Sequence, residues 1–154
     1  MSHGREMQVD WKYEDEWFEE GNISLLIKTF LERNGYKILR FNQDKRERGH
    51  DIEAAKGKEL IVVECKGYPS DRYVDGPKKG QKKPTNPKLQ SMHWFSDALF
   101  HLVIAKSENP KTTIALGLPD KPKYHEYLGK IAYFKEQFGL VCYFVNEDKR
   151  VWVE

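Results

Sequence analysis

Two acidic residues and a lysine stand where two strand-like segments of this sequence would end side by side. Asp51 opens the first segment, and Glu64 and Lys66 close the second. Charges buried at a strand end are costly unless they are paired or bind a metal. Two carboxylates and a nearby backbone carbonyl, for which Cys65 is the candidate, would form a hard oxygen site suited to Mg²⁺ or Mn²⁺ and to substrate phosphate. A lysine beside it would orient or help deprotonate a water, or stabilise a phosphorane, so the pattern predicts metal-assisted phosphodiester hydrolysis.

The segment that carries these residues has the pattern of a β-hairpin. Residues 50–55 and 60–66 have strand character, and residues 56–58 form a glycine-containing turn between them. Antiparallel pairing would bring the first acid opposite the end that carries the second acid and the lysine. Because side chains alternate along a strand, Glu64 and Lys66 are expected to share one face.

The order and spacing of the two acids and the lysine resemble the signature of the PD-(D/E)XK nuclease superfamily, which has the restriction-endonuclease-like fold. His50 stands where that signature often has a proline, and it leaves the first acid in place. The apolar run at residues 61–63 and the helix-like segment at 25–36 are similar to Holliday-junction resolvases and Mrr-type restriction enzymes. The resemblance spans roughly residues 20–118.

This resemblance implies a metal-dependent endodeoxyribonuclease that uses Mg²⁺ or Mn²⁺. Asp51 and Glu64 would bind the metal, the carbonyl of Cys65 would add to them, and Lys66 would assist the attacking water. All three side-chain roles are catalytic in the resembled enzymes.

A further acid is expected from the first helix, where the superfamily often has a glutamate that completes the metal site. At the matching position this chain has Ser24, which cannot replace a carboxylate ligand. Glu20, one turn earlier, is the expected substitute, with Glu19 as the weaker candidate. The resemblance also assigns a supporting catalytic role to Gln90, because a polar residue on the next helix, often glutamine, supports the site or contacts the phosphate backbone.

Two other interpretations remain open. Glu64 and Lys66 could form a half-exposed ion pair on a strand, worth about 0–1 kcal/mol. The domain could also be a nuclease-fold module that binds nucleic acid or a protein partner without cutting, which the missing helix glutamate favours. Against the binding module, a site that only binds has no need for buried acids that repel phosphate.

Charge is distributed unevenly along the chain, although the net charge is only +2. Residues 10–20 carry six acids and one lysine, whereas residues 66–88 carry seven bases and two acids. Residues 68–87 contain prolines and glycines without an apolar period, which predicts a long loop. Its lysines would contact DNA phosphates without reading bases; they are Lys78, Lys79, Lys82 and Lys83.

The 154 residues fit one nuclease-like domain over residues 10–154, after a disordered tail at 1–9. The two cysteines form no Cys-x-x-Cys pair, so no structural zinc site or disulfide framework is expected. With no signal peptide and no membrane-length apolar run, we expect a cytoplasmic protein without a membrane partner. Since no separate DNA-reading domain is evident, the chain is expected to select DNA structure, to form a homodimer, or to serve a larger nuclease complex.

The predicted elements are a helix, three strands, a helix, a strand, a helix and two strands. This order predicts an α/β fold with a restriction-endonuclease-like mixed central sheet flanked by helices. One helix is expected over residues 121–138, ended by Gly139. Another is expected over residues 88–106, with a buried stripe of Leu89, Met92, Phe95, Leu99, Leu102 and Val103.

Overall fold

The computed structural model describes most of the chain, namely residues 17–43, 49–70, 76–82, 84 and 86–154. The expected tail at residues 1–9 and Lys83 of the basic loop lie outside these residues. None of the helices in the described ranges is long and apolar enough to cross a membrane.

One sheet contains all the strands in the described ranges. The strands are β1 (Lys37–Phe41), β2 (Ile52–Lys56), β3 (Glu59–Cys65), β4 (Thr113–Pro119), β5 (Val141–Val145) and β6 (Val151–Val153). The helices are α1 (Glu20–Arg33), α2 (Pro87–Glu108), α3 (Pro122–Lys130) and α4 (Ala132–Phe138). Strands follow one another in chain order across the sheet. The pairs β3–β4 and β4–β5 are parallel and the others antiparallel, which confirms the predicted mixed α/β sheet flanked by helices.

The alternation of side chains in β3 divides the core into two layers. Ile61, Val63 and Cys65 pack on the face that α1 covers. Val62 packs on the opposite face, which α2 and α3 cover. Glu64 continues the alternation of Val62 and therefore lies on the α2 side of the sheet.

The predicted hairpin is present and brings the two acids together, although its strands begin and end one or two residues from the predicted bounds and its turn has two residues rather than three. Its antiparallel register pairs Ile52 with Val63, so the residues just beyond this pair, Asp51 and Glu64, lie side by side. The turn contains Gly57 at a φ of 60°, a left-handed conformation that glycine adopts without steric cost. Local sequence therefore determines the placement of the two carboxylates.

The prediction of one helix over residues 121–138 was wrong, because α3 and α4 are separate helices. The chain leaves helical geometry at Ile131, where φ is −110° and ψ is 23°. The Ile131 side chain packs against the core on the α2 side of the sheet. Apolar residues continue at helical spacing across the break, so periodicity alone did not reveal it.

The prediction for the buried face of α2 was also wrong in part. Leu89, Met92 and Val103, expected to be buried, are 50%, 46% and 36% exposed. The face toward the sheet instead carries Ser91, Phe95, Ala98, Leu102 and Ala105. Three of these five side chains are small, which lets the helix pack close to the sheet. Apolar residues occur on both sides of α2, and the sequence pattern therefore did not indicate which side is covered.

Candidate active site

A cleft of about 650 Å³ lies at the end of β3, between the hairpin, the start of α1 and the middle of α2. The hairpin and the segment after β3 contribute His50, Asp51, Glu64 and Lys66 to its lining. From α1 and the residue before it come Glu19, Glu20 and Ser24, and from α2 come Trp94, Asp97 and His101. The structure thus brings the three signature residues and the expected substitute acid to one cleft.

Asp51 is held at the end of the hairpin by the backbone of the neighbouring strand. The Cys65 N–H donates a hydrogen bond of 2.7 Å to Asp51 Oδ2. Burial raises the pKa of Asp51 to about 7, although the hydrogen bond from Cys65 acts in the opposite direction. The negative charges of Glu64 and Glu20 contribute to this raised value. Asp51 therefore lies in an environment that disfavours its negative charge.

Glu64 is buried and its carboxylate is paired with the histidine that stands in the proline position of the signature. Glu64 is 7% exposed, and its Oε1 lies 2.5 Å from His50 Nδ1. The hydrogen bond that the His50 ring donates to Glu64 raises the pKa of His50, which favours the charged imidazolium. One alternative interpretation was a half-exposed ion pair between Glu64 and Lys66. In the described residues Glu64 is buried and pairs with His50, and it does not pair with Lys66.

Lys66 is paired instead with Asp97 of α2. The Lys66 Nζ lies 2.9 Å from Asp97 Oδ2. Burial acts to lower the pKa of Lys66, but the hydrogen bond that Lys66 donates to Asp97 and the charges of Glu20, Asp97 and Asp51 outweigh it, so the pKa is raised. The ammonium is consequently held in its charged form, which suits it to stabilise negative charge rather than to accept a proton.

Glu20 reaches the cleft because the chain before α1 packs directly on Gly67. A Cβ at Gly67 would lie 2.5 Å from the Phe18 carbonyl oxygen and 2.7 Å from the Glu20 nitrogen. The Tyr68 N–H donates to the Phe18 carbonyl at 3.1 Å. Lys121 lies over the Phe18 and Tyr68 rings, with its Nζ 4.2 Å and 5.5 Å from their centroids. These contacts fix the start of α1 beside the end of β3.

Replacing Gly67 with alanine is expected to destabilise the fold by about 1–3 kcal/mol, because the methyl group meets backbone atoms that cannot rotate away. The matched control is Gly129→Ala in α3, where an added Cβ meets no atom within 4 Å. That control is expected to leave stability unchanged or raise it by up to about 1 kcal/mol. Urea unfolding of both variants measures the difference, and equal stability of the two would contradict the close approach.

Several predicted residues do not line the cleft. Gln90 does not line the cleft, and its Oε1 is buried without a hydrogen-bond partner among the described residues. The Cys65 side chain is fully buried on the α1 face, where burial raises the pKa of its thiol; its N–H contacts Asp51. Lys78, Lys79 and Lys82 are exposed and do not line the cleft.

Sequence reasoning missed the residues that α2 contributes. Asp97, rather than Gln90, contacts Lys66, and Trp94 lines the cleft. Trp94, Asp97 and His101 are spaced by three and four residues, which places them on one side of a helix. From this spacing alone, the sequence could have indicated that these three residues share one side of α2 and face a common site.

The carboxylates do not form a complete ligand set on their own. Asp51 and Glu64 lie within hydrogen-bonding reach of each other, and Glu20 is close enough to raise the pKa of Asp51. Within the described residues, however, no three His, Cys, Asp or Glu side chains are grouped closely enough to hold a metal ion. The site therefore provides a pair of carboxylates with a third acid nearby.

Comparisons with known proteins give little beyond this geometry. No protein-family profile and no curated protein matches the sequence. Among solved structures, the chain is similar to an XisH family protein from Nostoc punctiforme PCC 73102, with 15% identity and a TM-score of 0.47. The match covers 84% of this chain and 95% of that one. The class that the described residues define is a mixed α/β domain with an acidic cleft at the end of its central strands.

Proposed function

We propose that the protein is a metal-dependent endonuclease that hydrolyses phosphodiester bonds of DNA. The observation that carries the proposal is the meeting of the Asp51 and Glu64 carboxyl groups with the Lys66 ammonium in one cleft. The sheet architecture and the order of these residues agree with the resemblance to PD-(D/E)XK nucleases. The exposed lysines at 78, 79 and 82 offer additional phosphate contacts outside the cleft.

The residues present fit a hard divalent cation such as Mg²⁺ or Mn²⁺. Two neighbouring carboxyl groups in a partly buried site, one of them with a raised pKa, gain from a cation that neutralises them. Asp51 and Glu64 would hold the ion, with Glu20 and the Cys65 carbonyl as further oxygen donors. When bound, the ion would polarise the phosphate and lower the pKa of a water.

The chain's own groups supply the remaining chemistry. Lys66 stays charged and would stabilise the negative charge that develops on the phosphate, or orient the attacking water. Asp97 holds the Lys66 ammonium, and the His50 ring is paired with the Glu64 carboxylate. Each of these roles requires only the contacts already present in the cleft.

The test is cleavage of supercoiled plasmid with Mg²⁺ or Mn²⁺ by the unaltered protein and by Asp51→Asn and Glu64→Gln. The unaltered protein is expected to nick or linearise the plasmid, and each variant to lose at least about 100-fold in rate, since each removes a metal-binding oxygen. The matched control is Glu53→Gln, which alters a half-buried acid of β2 that does not line the cleft. This control is expected to retain activity.

A folded protein that cleaves neither plasmid, single strands nor branched DNA with either metal would contradict the proposal. The DNA affinity of Asp51→Asn, compared with that of the unaltered protein, then tests the alternative that the domain binds DNA without cutting it. A module that only binds should bind DNA as well or better when this acid is neutralised, because the acid repels phosphate.

A further inference from the structure

The outer face of α2 is an exposed apolar surface. Five large apolar side chains lie along it: Leu89, Met92, Phe100, Val103 and Ile104, exposed by 36% to 62%. With His93, Ser96 and Ser107, they recur every three or four residues and form one stripe opposite the buried side of the helix. The stripe contains no Asp, Glu, Lys or Arg, although such residues make up 32% of the chain.

We infer that this outer face of α2 pairs with the same face of a second copy of the chain. Four of its five large apolar residues are placed symmetrically about Ser96, whereas the position that mirrors the fifth, Ile104, is Lys88. Leu89 and Val103 lie seven residues on either side of it, and Met92 and Phe100 lie four residues on either side. A two-fold axis at Ser96 would therefore place Met92 against Phe100 of the partner and Leu89 against the partner's Val103. Such self-complementarity is what an isologous dimer requires.

The exposed area suits a dimer of ordinary size. The five side chains are about half exposed on average and together offer roughly 400 Å² of apolar surface, if each has an area typical of a large apolar residue. Two copies would bury about 800 Å², which approaches the apolar share of a standard interface of about 1,600 Å². Ser96, which is small, would let the two helices approach closely at the axis.

Other occupants fit this face less well. Nucleic acid is bound through Lys and Arg, and the stripe has neither. The helix side that lines the cleft, with Trp94, Asp97 and His101, lies about a quarter turn away, so pairing leaves the cleft accessible to substrate. The inference does not depend on the proposed nuclease activity.

The first test is the mass of the protein in solution at several concentrations. The unaltered chain is expected to be a dimer with a Kd of about 1 μM or tighter, as standard interfaces have. Met92→Glu and Phe100→Glu are each expected to weaken dimerisation about 30-fold or more, because the substitution places a charge at the apolar centre. Tyr133→Glu is the control, since Tyr133 is 77% exposed on α4 and outside the stripe.

The second test is a cross-link at the proposed axis. Ser96→Cys should form a disulfide-linked dimer under mild oxidation, because two residues on a two-fold axis come within disulfide distance. Ser107→Cys lies three helical turns from the axis and should not. The native Cys65 and Cys142 are buried and do not interfere. A monomeric unaltered chain at about 100 μM, a dimer that survives Phe100→Glu, or the absence of a Ser96 cross-link would each overturn the inference.

Discussion

Replacing Lys66 with alanine is expected to lower the rate of phosphodiester cleavage by about 10²–10³-fold, the usual loss when one preorganised electrostatic partner of a transition state is removed. The fold should change little. The Lys66–Asp97 pair is worth about 0–1 kcal/mol, because the Asp97 side chain is 55% exposed. Single-turnover cleavage rates and urea unfolding of the same preparations measure the two effects separately.

Controls and a second variant distinguish the role of Lys66 from general surface charge. Lys111→Ala removes an exposed lysine outside the cleft and should cleave normally. Asp97→Asn should lower the rate about tenfold, since the ammonium loses its anchor but remains present. Because the pKa of Lys66 is raised, no ionisation of Lys66 should appear in the rate profile between about pH 6 and 9. A cleavage rate that survives Lys66→Ala would remove Lys66 from the mechanism.

The sequence predicted the positions of Asp51 and Glu64 relative to each other, because these positions depend only on the local structure of the hairpin. The hairpin register places Asp51 beside Glu64 through a two-residue turn and the alternation of one strand. Both effects act over fewer than fifteen residues, so spacing alone was sufficient to predict them.

The remaining parts depend on contacts between distant segments, which spacing does not encode. Glu20 reaches the cleft because backbone atoms of residues 18–20 pack on Gly67, nearly fifty residues later. Asp97 was missed because α2 has apolar residues on two opposite faces, so the sequence left its orientation against the sheet undetermined. Once the small residues of α2 are known to face the sheet, the side that carries Trp94, Asp97 and His101 follows from helical geometry.

Asp51→Asn is expected to stabilise the metal-free protein while it abolishes cleavage. Burial and the neighbouring acids raise the pKa of Asp51 from 3.8 to about 7 in the folded protein. Between these two values the folded state binds more protons than the unfolded state, so the free energy of unfolding falls as pH rises. Above pH 7 the full penalty for the charged carboxylate remains. We expect Asp51→Asn to be more stable by about 1–3 kcal/mol at pH 8, and equal to the unaltered protein near pH 4.

Urea unfolding without metal at pH 4, 6 and 8 measures this difference. The asparagine oxygen can still accept the hydrogen bond that the Cys65 N–H donates to Asp51, so the substitution mainly removes the charge. Glu53→Gln, in the strand β2 that follows Asp51, is the control and should change stability by less than about 0.5 kcal/mol at each pH. If Asp51→Asn is less stable at pH 8, the carboxylate supports the fold and the electrostatic strain assigned to the cleft is absent.

Added Mg²⁺ or Mn²⁺ should make the unaltered protein more stable than Asp51→Asn, the reverse of the order expected without metal. A cation bound by Asp51 and Glu64 stabilises only a folded state that retains both carboxylates, by an amount that grows with metal concentration. The unaltered protein should therefore gain stability with metal, and more at pH 8 than at pH 6, because binding releases the proton from Asp51. Asp51→Asn should gain little at either pH. A carboxylate that lowers stability without metal and is required for metal binding has the properties of a functional ligand. An acid that served only the structure would raise the stability of the metal-free protein, and its removal would not change the response to added metal.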